Sequence, residues 1–391
     1  MKNADAMAAR GAGAMARPVV KRRSAVRLVV AAVALLVAAT LAYLCLWPVP
    51  IEPVAWSAQT PPGYVGPFAP NTRLAQLQKI DIGTEFGPEH MAFGPDGKLY
   101  AAMTSGALLR MDADGKQREV FASTGGRVLG FDFDAQGRML AADAMKGLLS
   151  IGRDGKVALL ADSVGPGDPI RYANSLVMAP DGTAYFTDAS GRFAPAEWGG
   201  TLEASVFDIL EQAATGRVLA YDPVARTTRV VAKGFSFANG IALSADGRSI
   251  FVAETGRYRV WKLDAAARDI NVQSGTPQAR VLLDNLPGYP DNLMRGREGR
   301  IWVGLFKPRN PAADSLAERP FLRKVLLRLP RAWLPLGKPY SHVFAIDESG
   351  HVVEDLQDPT GAYPETTGAT ETAQRLYIHS LHAPAIGWLA R

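Results

Sequence analysis

Phe237-Ala238-Asn239-Gly240-Ile241-Ala242-Leu243-Ser244-Ala245-Asp246-Gly247-Arg248-Ser249-Ile250-Phe251-Val252-Ala253-Glu254 reads as a strand, a tight turn and a second strand. Ala245-Asp246-Gly247 lies between two apolar β-type runs, where Gly supplies the positive φ a hairpin needs. The same sentence recurs along the chain. Pro95-Asp96-Gly97, Ala135-Gln136-Gly137, Pro180-Asp181-Gly182 and Arg297-Glu298-Gly299 are each followed by a strand, as in Ala184-Tyr185-Phe186-Thr187-Asp188 or Ile301-Trp302-Val303-Gly304. A second kind of turn alternates with the first: Asp112-Ala113-Asp114-Gly115, Arg153-Asp154-Gly155, Asp222-Pro223, Asp264-Ala265 and Asp347-Glu348-Ser349-Gly350.

Four short strands in roughly 40 to 65 residues, repeated, is the pattern of a β-propeller blade. First strands open near Glu89, Val128, Tyr172, Ala238, Pro290 and Thr367, which predicts six blades. The last blade lacks a strand, and Leu77-Gln78-Lys79-Ile80-Asp81 is available to supply it. Such closure removes the exposed edges an open sheet presents. Two insertions break the period, 191–216 with a short helix over Leu202 to Ala213, and 306–340. The second holds a basic, apolar amphipathic stretch from Phe321 to Leu334, including Arg331, Ala332 and Trp333. Long insertions of this kind are expected to cap the site; a membrane contact is the other reading.

Four first strands begin alike: Gly87-Pro88-Glu89-His90, Tyr172-Ala173-Asn174-Ser175, Phe237-Ala238-Asn239-Gly240 and Tyr289-Pro290-Asp291-Asn292. A radial repeat brings such starts to one axis, so Glu89, Asn174, Asn239, Asp291 and Asn292 should converge. Two carboxylates with amide oxygens suit a hard cation, above all Ca²⁺. Each residue alone has a plainer reading: Asn239-Gly240 as a turn, Asn174 as a buried hydrogen bonder, Glu89 as the partner of an arginine. Five at equivalent positions favour shared ligation. His90 should point away on the opposite face of its strand. Glu89 or Asp291 is a candidate proton acceptor, and His382 a candidate catalytic residue lining the pocket. Ser175 and Ser244 have no visible triad partners, and no organic cofactor site is read.

At 391 residues and 48% hydrophobic, the chain can bury a large core in one all-β domain. Leu28 to Trp47 is twenty residues without a charge, long enough to cross a hydrocarbon core of roughly 30 Å. Residues 1–27 hold seven Lys/Arg against Asp5, so a basic tail (1–27), a transmembrane helix (28–47), a Pro-rich linker (48–74) and the propeller (75–391) are expected. The positive-inside bias places the tail in the cytoplasm and the propeller on the far side, periplasmic, lumenal or extracellular. A cleaved signal peptide is the rival, but the run is long for one and no small-x-small site follows. The net charge of +5 becomes −1 beyond residue 27, which lacks a nucleic-acid binder's electrostatic footprint. Cys45, the single cysteine, lies in the membrane segment, so the rest has no disulfide or thiol chemistry. Composition leaves the oligomeric state open.

Together, Gly87-Pro88-Glu89, Gly234 to Ser244, Val252-Ala253-Glu254-Thr255, Leu286 to Asn292 and Ser380-Leu381-His382-Ala383-Pro384 resemble the strictosidine synthase-like family of six-bladed propellers. That family is related to paraoxonases and, further off, to gluconolactonases and senescence-marker proteins. The resemblance covers about residues 75 to 391. It implies a paraoxonase-type calcium site at Glu89, Asn174, Asn239, Asp291 and Asn292, and its membrane-anchored animal members have arylesterase activity. The chain departs from the paraoxonase pattern at blade two, where Gly126-Arg127-Val128-Leu129-Gly130 carries no histidine. It departs from the plant synthase at blade six, where Thr366-Thr367-Gly368 stands, with Glu365 and Glu371 offset. The leading expectation is a Ca²⁺-dependent hydrolase of an ester or lactone. A non-catalytic ligand- or protein-binding propeller with structural calcium is the alternative, and an amine–aldehyde condensing synthase the third.

Overall fold

The computed structural model describes residues 19–330 and 337–391. Helix α1, Val19–Leu46, comes first; its apolar part, Ala25–Leu46, is long enough to cross a membrane and is exposed along its length. The helix therefore starts earlier than the expected 28–47, and Trp47 falls just past its end.

Six sheets of four or five strands follow, and neighbouring strands pair antiparallel except where Ile270–Asn271 adds in parallel to Thr227–Phe235. Blade one comprises His90–Phe93, Leu99–Ala102, Ala107–Met111 and Glu119–Ser123, and blade two opens at Val128–Phe133. Blades three to six open at Ala173–Met178, Ala238–Leu243, Gly288–Arg295 and Thr366–Glu371. Blade six is completed as expected: Gln78–Asp81 pairs with Ala385–Ala390, matching Ile80 to Ile386. The core lies between blades, as where Val218 and Val231 of blade three meet Ile241 and Val252 of blade four.

Turns between first and second strands, and between third and fourth, lie at one end of the propeller. The connections between second and third strands emerge at the other end, where the first strands begin. Both insertions are of this second kind. The first contains α2, Thr201–Glu211; the second contains α3, Pro311–Ser315, and α4, Pro320–Leu327. Strand Ile301–Pro308 runs two residues past the expected start of the second insertion at 306. The helix expected over 321–334 ends at Leu327, and its part from Arg331 to Leu334 lies outside the described residues.

The segment 48–74, expected to be a linker, is not a free tether. Ile51 and Leu74 are fully or almost fully buried. Ile51 packs with Phe193 and Ala204 of the first insertion and with Tyr172 and Phe237 of the propeller, while Leu327 of α4 closes over the same cluster. Apolar side chains in a Pro-rich stretch have only this surface to bury against, and burial outweighs the chain's freedom. A lid of three segments thus covers the end where the oxygen-bearing residues gather.

Candidate functional site

Five of the six first strands do not start as regular strands. Register slips occur between Val128 and Gly130, Ala173 and Leu176, Ala238 and Ile241, Pro290 and Leu293, and Thr366 and Ala369. A bulge re-aims side chains that strict alternation would send to opposite faces. Asn174, Asn239, Asp291 and Asn292 all sit inside these slips. This is how consecutive residues 291 and 292 can both reach the neighbourhood of Glu89. Gly240 permits the crowding: a Cβ there would lie 2.3 Å from the Leu293 nitrogen and 2.4 Å from the Asp291 carbonyl oxygen.

All five predicted ligands are buried, none more than 6% exposed. Asn292 Nδ2 donates to the Glu89 carbonyl at 3.1 Å and to Glu89 Oε1 at 3.3 Å. Thr367 Oγ1 donates to the same carbonyl at 2.9 Å. Asp291 is hydrogen-bonded to Asn239 and feels the charge of Glu89. Asn174 holds the matching position on the neighbouring first strand. Glu89 Oε2, Asn239 Oδ1 and Asn292 Oδ1 are buried with no hydrogen-bond partner among the described residues. Burial pushes the Glu89 carboxyl up to about 7 and that of Asp291 well up, and the charge of Glu89 raises Asp291 further.

Arg127 opens blade two where Glu89 opens blade one. Its guanidinium is 6% exposed and stands 3.8 Å from Glu89 Oε2, so the plain reading of Glu89 as an arginine partner holds in part. Among the described residues no group of three or more His, Cys, Asp or Glu surrounds a common point. The candidate set supplies two carboxylates and takes its other donors from asparagine. Orphaned oxygens with no apolar purpose and two facing carboxyls fit a hard cation. Arg127 neutralises one charge in part and leaves the rest unbalanced.

His382 lies at the edge of this cluster, with its side chain 47% exposed and close enough for its charge to act on Glu89. Its Nδ1 is hydrogen-bonded to Glu365, which raises the imidazole above its ordinary value. Glu365 also pairs with Lys307 at 3.0 Å. Burial would raise Glu365, but the bonds to His382 and Lys307 outweigh it and hold the carboxyl down. Glu365 and Phe237 both have positive φ, 55° and 60°, immediately before or beside blade openings. Left-handed backbone at non-glycine residues is uncommon and tends to gather at sites.

His90 is not a site residue. It is 2% exposed and packs its ring against Phe131 and His379. Ser175 Oγ accepts from the Ile241 N–H, and Ser244 is bound in its turn to Asp246. Glu254 fixes strands, accepting from the Ser236 N–H, Arg259 and the Trp261 indole. Asp143 and Asp188 do the same two blades and one blade earlier, holding the Arg127 and Tyr172 N–H groups. Arg127 and Glu365 are the residues that sequence reasoning passed over. Their signal was position: each is a lone charge directly before a first strand.

Residues 66–111 match the family model for the strictosidine synthase-like N-terminal region, and residues 96–311 that for the SMP-30/gluconolactonase/LRE-like region. Protein strictosidine synthase-like 13 of Arabidopsis thaliana is 31% identical over 74% of this chain and 77% of its own. The adipocyte plasma membrane-associated protein of Danio rerio is 30% identical over 86% of this chain and 83% of its own. Among solved structures, a gluconolactonase from Xanthomonas campestris superposes with a TM-score of 0.55 at 19% identity, covering 88% of this chain and 98% of that one. The calcium-binding regucalcin of Agrobacterium tumefaciens gives 0.54 at 15% identity over 80% and 93%. At those identities the likeness is one of fold.

Proposed function

This chain belongs to the strictosidine synthase-like family, and from that premise we propose that it is a membrane-anchored, Ca²⁺-dependent hydrolase of esters or lactones. The observation that carries the reading is the buried oxygens of Glu89 (Oε2), Asn239 and Asn292 that have no hydrogen-bond partner among the described residues, beside Asp291 and beneath the lid. Glu89, Asn174, Asn239, Asp291 and Asn292 would hold the ion, their two negative charges balancing it. Relatives named for a plasma membrane and a calcium-binding protein of the same fold support the anchor and the metal.

The bound ion would supply a hard Lewis acid that polarises a carbonyl. The protein's own residues do the rest. Glu365 engages His382 Nδ1, which leaves Nε2 to take a proton from water at the rim of the cluster. Arg127 adds a fixed positive charge where an oxyanion would develop. The lid keeps bulk water from the charges and strengthens them. Glu89 and Asp291, their carboxylates held ionised by a bound cation, would be poor bases, which leaves the ligand role to them.

One observation favours the non-catalytic alternative: a groove of about 1120 Å³, lined by Arg229, Arg248 and Lys262 and by Asp181, Asp222 and Asp264, lies at the opposite end from the oxygens. Metal analysis of the purified full chain, with aryl-ester and lactone assays before and after chelation, separates the readings. The hydrolase reading expects bound Ca²⁺, loss of activity on chelation and recovery on adding Ca²⁺ back. Asp291→Ala should weaken the metal at least roughly tenfold. Tight Ca²⁺ binding with no divalent-dependent hydrolysis would leave the binding propeller standing instead.

A further inference from the structure

The end of α1 is fastened to the lid. Arg328, just past α4 and 7% exposed, donates from Nε to the Trp47 carbonyl at 2.6 Å and from Nη1 to the Leu44 carbonyl at 2.8 Å. Tyr43 in turn donates to the Arg328 carbonyl at 3.1 Å. These bonds satisfy backbone oxygens that the last turn of a helix leaves open. The chain after α1 is pinned as well. The N–H groups of Glu52 and Val54 donate to Glu211, both at 2.8 Å. Arg323 donates to the Leu210 carbonyl of α2 at 2.8 Å, and Lys324 pairs with Glu52.

The outward side of α4 carries apolar groups with no described residue over them. Phe321 is 53% and Leu322 37% exposed, with Leu202 of α2 at 43%. Trp47 and Leu46, at the end of α1, are 60% and 78% exposed. Phe321 precedes Arg328 by seven residues, about 10 Å of helix at 1.5 Å per residue. Tyr43 and Trp47 pack with tilted rings 5.8 Å apart where α1 would leave the hydrocarbon, the depth at which such rings settle. The headgroup layer there is several ångströms thick. Arg319 and Lys324 flank the apolar pair with cations.

Resting on the reading of α1 as a membrane anchor, we propose that the lid face of α4 lies on the same bilayer surface. The candidate site then faces the membrane, and the ligands it meets are those that partition into lipid. The far turns of the propeller point into solvent. The occupant of the α4 face is the lipid surface itself; a second copy of the chain is the competing outcome.

Depth-dependent quenching tests this with the full chain in lipid vesicles. In a Cys45→Ser background, single cysteines Phe321→Cys, Val37→Cys and Gln136→Cys would carry an environment-sensitive fluorophore, and the vesicles spin-labelled lipids. Val37 reports the anchor, and Gln136 a turn at the opposite end. The expected result is strong quenching at 37, quenching at 321 several-fold above that at 136, and a blue shift at 321. Quenching at 37 with equal, slight quenching at 321 and 136 overturns the proposal while leaving the anchor intact. A 321 label shielded from aqueous iodide yet untouched by lipid quenchers also overturns it, in favour of self-association. No quenching at 37 removes the anchor reading, and this inference with it.

Discussion

A carboxylate and an imidazole at the rim of the candidate site share one hydrogen bond, and the sign of its effect can be worked through. The ordinary imidazole value is 6.5, and the bond to Glu365 raises that of His382. As a base, His382 acts only when neutral, so hydrolysis should rise with pH through an inflection above 6.5. Glu365→Gln removes the negative partner and should move that inflection down towards the ordinary value. It should also lower the maximal rate, because the ring loses the charge that stabilises its protonated form. His382→Ala should cost on the order of 10² to 10⁴ in kcat while Ca²⁺ affinity stays unchanged. The pH–rate profile, with metal titration alongside, checks both. If Glu365→Gln leaves the inflection in place, the pair is a structural contact and His382 is not the base. Fold-stabilising loss alone would lower activity without moving the profile.

At the scale of the strand, the site depends on bulges, and a bulge depends on small residues where backbones meet. Gly240 lies against the backbone of Asp291 to Leu293, with no room for a methyl group. Gly240→Ala should therefore destabilise the protein by roughly 1–3 kcal/mol, as overpacking a tight core does. Gly165→Ala is the control, since nothing lies within 4 Å of its would-be Cβ and its φ is not positive. Denaturant unfolding of both variants checks the difference, and equal midpoints would mean that the close approach is not held. This crowding also explains which parts of the fold could be read in advance. Turn signals such as Ala245-Asp246-Gly247 are local, so strands and blade count followed from sequence. The positions of Glu89, Asn239 and Asp291 followed too, because a repeat fixes equivalent residues at equivalent radii. The register slips did not, since alternation gives no sign of them until neighbouring strands collide. Arg127 escaped because its partner Glu89 belongs to another blade, and Glu365 because it stands just outside its first strand and meets His382 only when that blade folds back on itself.

For the whole molecule, the link to test is where the ring closes. Gln78–Asp81, a strand of four residues, completes the last blade, and bonds such as Thr370 Oγ1 to the Met91 carbonyl and the Gly87 N–H to the Ala383 carbonyl add to the seam. Ile80 is 6% exposed and packs with Met91, Tyr377 and Ile386, tying blade one to blade six. A charge at this position would face apolar groups on all sides without a partner. Ile80→Asp should release the strand, expose the backbone edge of Ala385–Ala390 and favour edge-to-edge association. Size-exclusion chromatography and protease sensitivity near residue 80 would show this as aggregation or nicking. The control is Val120→Asp, on the outer strand Glu119–Ser123, where the side chain is already 61% exposed. Closure also bears on the site, because Glu89 belongs to blade one while Thr367 and His382 come from blade six. A ring that opens at this seam separates the first ligand from the proposed base, so Ca²⁺ should raise the melting temperature of the intact ring by mass action and raise that of Ile80→Asp far less. A calcium-induced shift of equal size in both proteins would show that the ligands are held without the seam.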